Sequence, residues 1–259
     1  HLIDGLRKAG LDVPPAGAPA AVSTTHAPAD SGSGAARAAE NFWVAVLPFK
    51  YTGANADLAA LADGLSEEIV TGLSRFSYLR VVARTTSGRY TAAAAARPDA
   101  PSEAVRSVGR EIGARYVMEG SVRQAGPHLR VAVQLVDAST GAHLWADTYS
   151  RAFQPEAVFE VQDDLVPRIV STIADWYGVL PHTMSEALRS KPVDGLSPYE
   201  AVLRSFGYTE RRTSEEHATA RNALQRAVEL APGYADGWAM LSVIDCEEHA
   251  TGFNAQPDP

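Results

Sequence analysis

Polar and apolar residues alternate by twos over the middle of this chain and by threes and fours on either side of it. Those two periods are the marks of strands and helices. In "FWVAVLPFK" (42–50) an unbroken apolar run predicts a short buried strand that ends at Pro48. In "DLAALADGLSEEIVTGLSRF", Leu58, Leu61, Leu65, Ile69, Leu73 and Phe76 recur at helical spacing. "YLRVVAR" (78–84) returns to strand. "SEAVRSVGREIG" predicts a helix capped by Ser102, with Val105, Val108 and Ile112 turned inward. "ARYVMEGSVR", "HLRVAVQLVD" and "AHLWADTY" then alternate with period two, separated by the turn sequences "QAGP" and "ASTG", where Gly141 suits a positive φ. Three strands joined by two short turns predict an antiparallel meander. The last strand divides into Leu144 and Ala146 against Trp145, Asp147 and Tyr149. "PEAVFEVQDDLVPRIVSTIADWY" closes the series as a helix with Val158, Val161, Leu165, Ile169, Ile173 and Trp176 on its apolar stripe. The order β-α-β-α-β-β-β-α describes one α/β domain over 42–180, with a mixed sheet that includes the meander.

The flanks read differently. "HLIDGLRKAGLD" (1–12) has the pattern of one short helix and is expected to be the tail of an upstream domain. Residues 13–41 are rich in Ala, Pro, Gly, Ser and Thr and cannot bury enough apolar area to offset their ordering entropy; a disordered linker is expected there. From 195 onward three helical segments follow one another. Ala220, Leu224, Ala227 and Pro232 fall at the spacing of a second tetratricopeptide helix, and Trp238, Leu241 and Ser242 resemble the opening of the next repeat. Residues 195–259 are therefore expected to be the start of a tetratricopeptide array, cut short at Pro259. In such repeats the first helix of each pair lines the concave face, so Arg204, Tyr208 and Trp238 are the candidate surface for a protein partner.

Composition narrows the chemistry. The formal charge of −8 over 259 residues disfavours nucleic acid as a partner. The single cysteine, Cys246, cannot form an internal disulfide, and no apolar run approaches the length of a membrane span. "GSGAAR" lacks the third glycine of a dinucleotide fingerprint and follows no strand. Seven histidines are scattered, and Cys246 with His249 supplies two metal ligands where a closed zinc site needs four. Asp63, Glu67 and Glu68 could make a carboxylate cluster, but they read more simply as the polar face of a helix. No catalytic set, cofactor site or metal site emerges. Two alternatives stay open: an enzyme built on Asp63, Glu119 and Asp137, and a small-ligand receptor with a cleft near Asp63, Arg84 and Trp145.

"VAVLPF", "LADGLSEEIVTGLSRFSYLRVVART", "REIGARYVMEGSVRQAGPHLRVAVQLVDASTGAHLWADTYSR" and "VFEVQDDLVPRIV" together resemble the TolB amino-terminal-domain-like family, over about residues 42–175. The resemblance implies a non-catalytic bacterial module, usually followed by tetratricopeptide repeats. It implies a parent that is either a class III adenylate or guanylate cyclase or a winged-helix transcriptional regulator. "HLIDGLRKAGLD" is similar to the last helix of such a cyclase domain. A cytoplasmic location follows from the first kind of parent, and a periplasmic one if the parent is a membrane-spanning regulator.

Overall fold

The computed structural model describes residues 42–83, 86, 101–152 and 158–254, all within the unit Ser33–Pro259. The expected upstream tail, the linker and Arg84 lie outside the described residues.

The first strand, β1 (Trp43–Val46), is buried along its last three residues, as its unbroken apolar run requires of a central strand. Pro48 follows it, and the chain resumes as a two-residue strand, β2 (Lys50–Tyr51). The interruption is packed: the Phe49 ring sits where a Cβ at Gly120 would lie, 2.6 Å away. The Phe49 N–H donates to Ser66 Oγ at 2.9 Å, and that hydroxyl donates in turn to the Ala62 carbonyl at 2.8 Å. The first helix, α1 (Ala56–Leu73), is capped by Asn55, whose side chain accepts from the Asp57 N–H at 2.9 Å. Then come β3 (Arg80–Val81), shorter than the pattern predicts, and α2 (Pro101–Ile112), in which Ser102 is the second helical residue and not the cap.

The meander is present as β4 (Tyr116–Ala125), β5 (His128–Asp137) and β6 (Ala142–Ala152). Its turns carry Gly126 at φ +58° and Gly141 at φ +82°. The sheet order is β3-β1-β4-β5-β6, with β2 also on β4; the pairs among β1 to β4 are parallel and the meander pairs antiparallel. A bulge sets the register of β6, because Leu135 pairs with Trp145 but Val136 pairs with His143. Trp145 and Tyr149, opposite Leu135 and Val131, therefore face the core, while Ala146 is exposed.

Two layers of helix cover the sheet. One face, with Val44, Val46, Tyr116, Met118, Val131 and Leu135, packs under α1 and α3 (Val158–Ala174). The other, with Ala45, Leu47, Val117 and Val136, packs against Val105, Val108 and Ile112 of α2. After α3 the chain forms a helix that the hydrophobic pattern does not announce, α4 (Val179–Leu188), and a 3-10 turn at Val193–Gly195. Then follow α5 (Pro198–Arg211), α6 (Ser214–Leu230) and α7 (Ala235–Thr251). α5 opens with a capping box, Ser197 with Glu200, and with Pro198 at its first position. The core under α1 and α3 runs on without a break through α4 to α7, from Phe42 to Ile244.

Candidate functional site

The residues singled out in the sequence do not converge. Asp63 lies on the exposed face of α1. Trp145 is half-buried on β6, packed against the core as a sheet-face aromatic. Neither lines any of the three cavities among the described residues. Glu119 accepts from the Gln134 amide across the strand pair and lies 4.0 Å from Lys50 Nζ. Asp137 is 4% exposed and serves its own turn: Oδ1 accepts from the Ser139 N–H at 2.8 Å, and Oδ2 accepts from Arg115 Nε at 3.1 Å. Asp137 thus has a structural task, closing the turn after β5 and neutralising Arg115. Among the described residues no group of three or more His, Cys, Asp or Glu could hold a metal ion.

The expected partner surface is corrected in two of its three residues. α5 is buried without a gap from Ala201 to Tyr208, and Arg204 and Tyr208 are 5% and 1% exposed. Arg204 is inside because its charge is answered: NH1 donates to Glu216 Oε2 at 2.9 Å. Glu216 Oε1 accepts from Arg211 Nε at 2.8 Å, and Arg211 also pairs with Glu186. Burial pushes the Glu216 carboxyl up, but hydrogen bonds and charge from Arg204 and Arg211 outweigh it and hold the group below the usual carboxylate range. These four residues tie α4, α5 and α6 together. Trp238 is the member that does lie outside, half exposed on α7, with its indole N–H donating to the Pro232 carbonyl at 2.8 Å.

Two features of the fold were not legible as sites. The first is the seam between the sheet domain and the helical segment. The Tyr78 hydroxyl donates to the Ala174 carbonyl at 2.5 Å, and burial, with Tyr199 and Asp175 nearby, pushes that hydroxyl well above its usual range, so it remains a donor. The Phe206 ring of α5 meets the rings of Tyr78 and Trp176 edge-on at 4.9 and 5.5 Å. The Tyr199 hydroxyl donates to the Tyr78 carbonyl at 3.1 Å, and the Arg80 guanidinium lies 4.0 Å above the Tyr199 ring.

The second is a groove of about 590 Å³ between α1 and α3. The two helices run in the same direction, and α1 presents glycine where α3 presses closest. Gly64 faces the Gln162 amide and Gly72 faces Val170, about two helical turns further on. Val166, Val170 and Phe76 give the groove an apolar wall, with Glu68 and Asp163 at one end and Arg75 and Asp175 at the other. Gln162 is 4% exposed, and its Oε1 is buried without a hydrogen bond. The Glu68 carboxyl is raised by desolvation first, then by the charges of Asp163 and Glu67. The signal in the sequence was the pair of glycines on an otherwise apolar helix, matched by a polar residue inside the stripe of α3.

Residues 40–168 match the family model of the second domain of the HilA/YgeH-like transcriptional regulators. A protein of Rhizobium meliloti (strain 1021) named "Putative adenylate cyclase 3" is 35% identical over 218 residues, 83% of this chain. The chain spans about a third (35%) of that protein's length. Among solved structures, the PelC dodecamer from Paraburkholderia phytofirmans is similar at TM-score 0.33 and 21% identity, over 51% of this chain and 86% of that one. TolB from Acinetobacter baumannii is similar at TM-score 0.31 and 17% identity, over 52% of this chain and 30% of that one. Lipoprotein GNA1162 from Neisseria meningitidis reaches 0.35 and 15%, over 51% and 99%. At these scores the structural likenesses carry no functional weight. The sequence comparisons carry more: the α/β portion matches a regulator-domain family, and the wider chain is homologous to a portion of a protein with a cyclase name.

Proposed function

We propose that this chain is a non-catalytic regulatory and protein-interaction module of a bacterial signalling protein, C-terminal to an adenylate or guanylate cyclase domain in its parent. Homology to the Rhizobium meliloti protein and the regulator-domain match support a signalling role. The observation that carries the relay reading is the continuous core. Tyr78, Trp176 and Phe206 are in ring contact, so a shift of α1 or α3 against the sheet cannot leave α5 in place. Helices α5, α6 and α7 are read as the opening of a tetratricopeptide array that takes a protein partner, with exposed Trp238 on its surface. Titratable side chains of the α/β domain are spent on turns and strand pairs, which supports a module without turnover of its own.

The test is turnover by the purified chain on nucleoside triphosphates and phosphoesters. No activity above background is expected. Robust activity that disappears in Asp63→Ala or Glu119→Ala, with the fold retained, overturns the proposal in favour of an enzyme. A second reading, a small-ligand-sensing domain of a winged-helix transcriptional regulator, is favoured by the family match over residues 40–168. A parent reading frame with a winged helix in place of a cyclase domain would select it.

A further inference from the structure

Polar groups buried in a protein interior are nearly always hydrogen-bonded, because an unmet donor or acceptor forfeits its hydration without return. Gln162 departs from that rule inside a cavity. It is 4% exposed, it lines the groove between α1 and α3, and Oε1 accepts nothing. The amide is held in place from behind: a Cβ at Gly64 would lie 1.9 Å from Nε2, so the close approach of the two helices depends on that glycine. An acceptor positioned this way faces a groove whose charge is also one-sided. Glu68, Asp163 and Asp175 line it against a single cation, Arg75. Arg75 and Asp175 follow the C-terminal ends of their helices, while Glu68, Asp163 and Gln162 sit together about two turns away. Between the two ends the wall is apolar, with Val166, Val170 and Phe76.

From this we infer that the groove between α1 and α3 is a binding site for a small organic cation, an ammonium group carried on an apolar body. The ammonium lies between the Glu68 and Asp163 carboxylates and donates one hydrogen bond to Gln162 Oε1; the body covers Val166, Val170 and Phe76. A volume of about 590 Å³ falls in the range of small-molecule pockets. The raised Glu68 carboxyl fits this role, since a site that collects negative charge gains most from a cation that relieves it. The inference stands on the groove alone and holds whether the parent is a cyclase or a transcriptional regulator.

The test uses the whole chain and three amines of different apolar body: 2-phenylethylamine, cyclohexylamine and agmatine. Each is titrated by calorimetry and by amide chemical shifts, with 2-phenylethanol as the neutral match. At least one amine is expected to saturate with a Kd of about 1 mM or tighter, with the alcohol at least about tenfold weaker. Shifts should concentrate on residues 64–76 and 162–171. Glu68→Gln with Asp163→Asn should weaken the amine about tenfold or more, and Gln162→Leu should weaken it several-fold. Asp63→Asn, which removes the same charge from the outer face of α1, should leave it unchanged. The inference is overturned if no amine saturates by about 10 mM, if amine and alcohol bind alike, or if Asp63→Asn weakens binding as much as Glu68→Gln does. The wild-type titrations decide the matter even if a groove variant does not fold.

Discussion

The seam around Phe206 and the groove between α1 and α3 are both places where α3 meets a neighbour, and they are built in opposite ways. At the seam, aromatic rings meet edge-on and the polar atoms that enter it, Tyr78 and Tyr199, each donate to a carbonyl. At the groove, glycines bring two helices together, yet one amide oxygen is left unmet and two carboxylates face an open volume. The seam is complete by itself, and the groove is not. A surface that is finished contributes stability; one left unfinished is available for something else, and that difference can be tested residue by residue.

The largest effect should come from breaking the seam. Phe206→Ala removes a ring that is 5% exposed and should cost about 3–5 kcal/mol in chemical denaturation, close to the whole stability of a marginal domain. A loss under about 1 kcal/mol would mean that the helical segment folds without the sheet domain. The next effect is expected in acid. The Glu216 carboxyl is held below its ordinary range in the folded chain, so the stability it contributes is fully present above about pH 4.5 and is lost as pH falls through the lower folded value. Stability measured from pH 6 down to about pH 3 should decline, and Glu216→Gln should flatten that decline. Smaller again is Tyr78→Phe, which keeps the ring and removes the hydrogen bond to Ala174. It should cost about 1 kcal/mol in urea unfolding.

The smallest effect sharpens the comparison most. At the groove, Gln162→Leu trades an unmet acceptor for an apolar side chain of similar size and should be neutral or stabilising by up to about 1 kcal/mol in the same urea assay. If it destabilises the chain by as much as Tyr78→Phe, the groove is as finished as the seam and the contrast fails.

Much of this fold was legible along the chain. Period-two alternation placed all three meander strands, and the stripes of α1 and α3 became the residues buried against one sheet face. Gly141 adopts the positive φ that its turn sequence predicts. Other elements carry no local signal. β2 is two residues long and exists because Lys50 and Tyr51 pair with Ser121 and Val122. α4 contains Pro181 and a mixed pattern, and its buried side chains, Leu180, Met184 and Leu188, find their partners only in the assembled core.

What the sequence by itself determined is therefore the periodic part: which residues lie on one side of a strand or helix, and which turns can bend. Periodicity is a property of neighbours along the chain, so it survives without tertiary structure. Which side meets a second layer was decided only by folding. Arg204 is polar and was expected outside, but Glu216, on the next helix, makes its burial tolerable. Leu144 lost its place in the alternation because a bulge let Trp145 and Tyr149 face the core. Gln162 lies within the apolar stripe of α3, and its isolation comes from Gly64 on another helix. In each case the deciding energy is between residues far apart in the chain, a pairing, a close approach or an unmet bond, and no local pattern contains it.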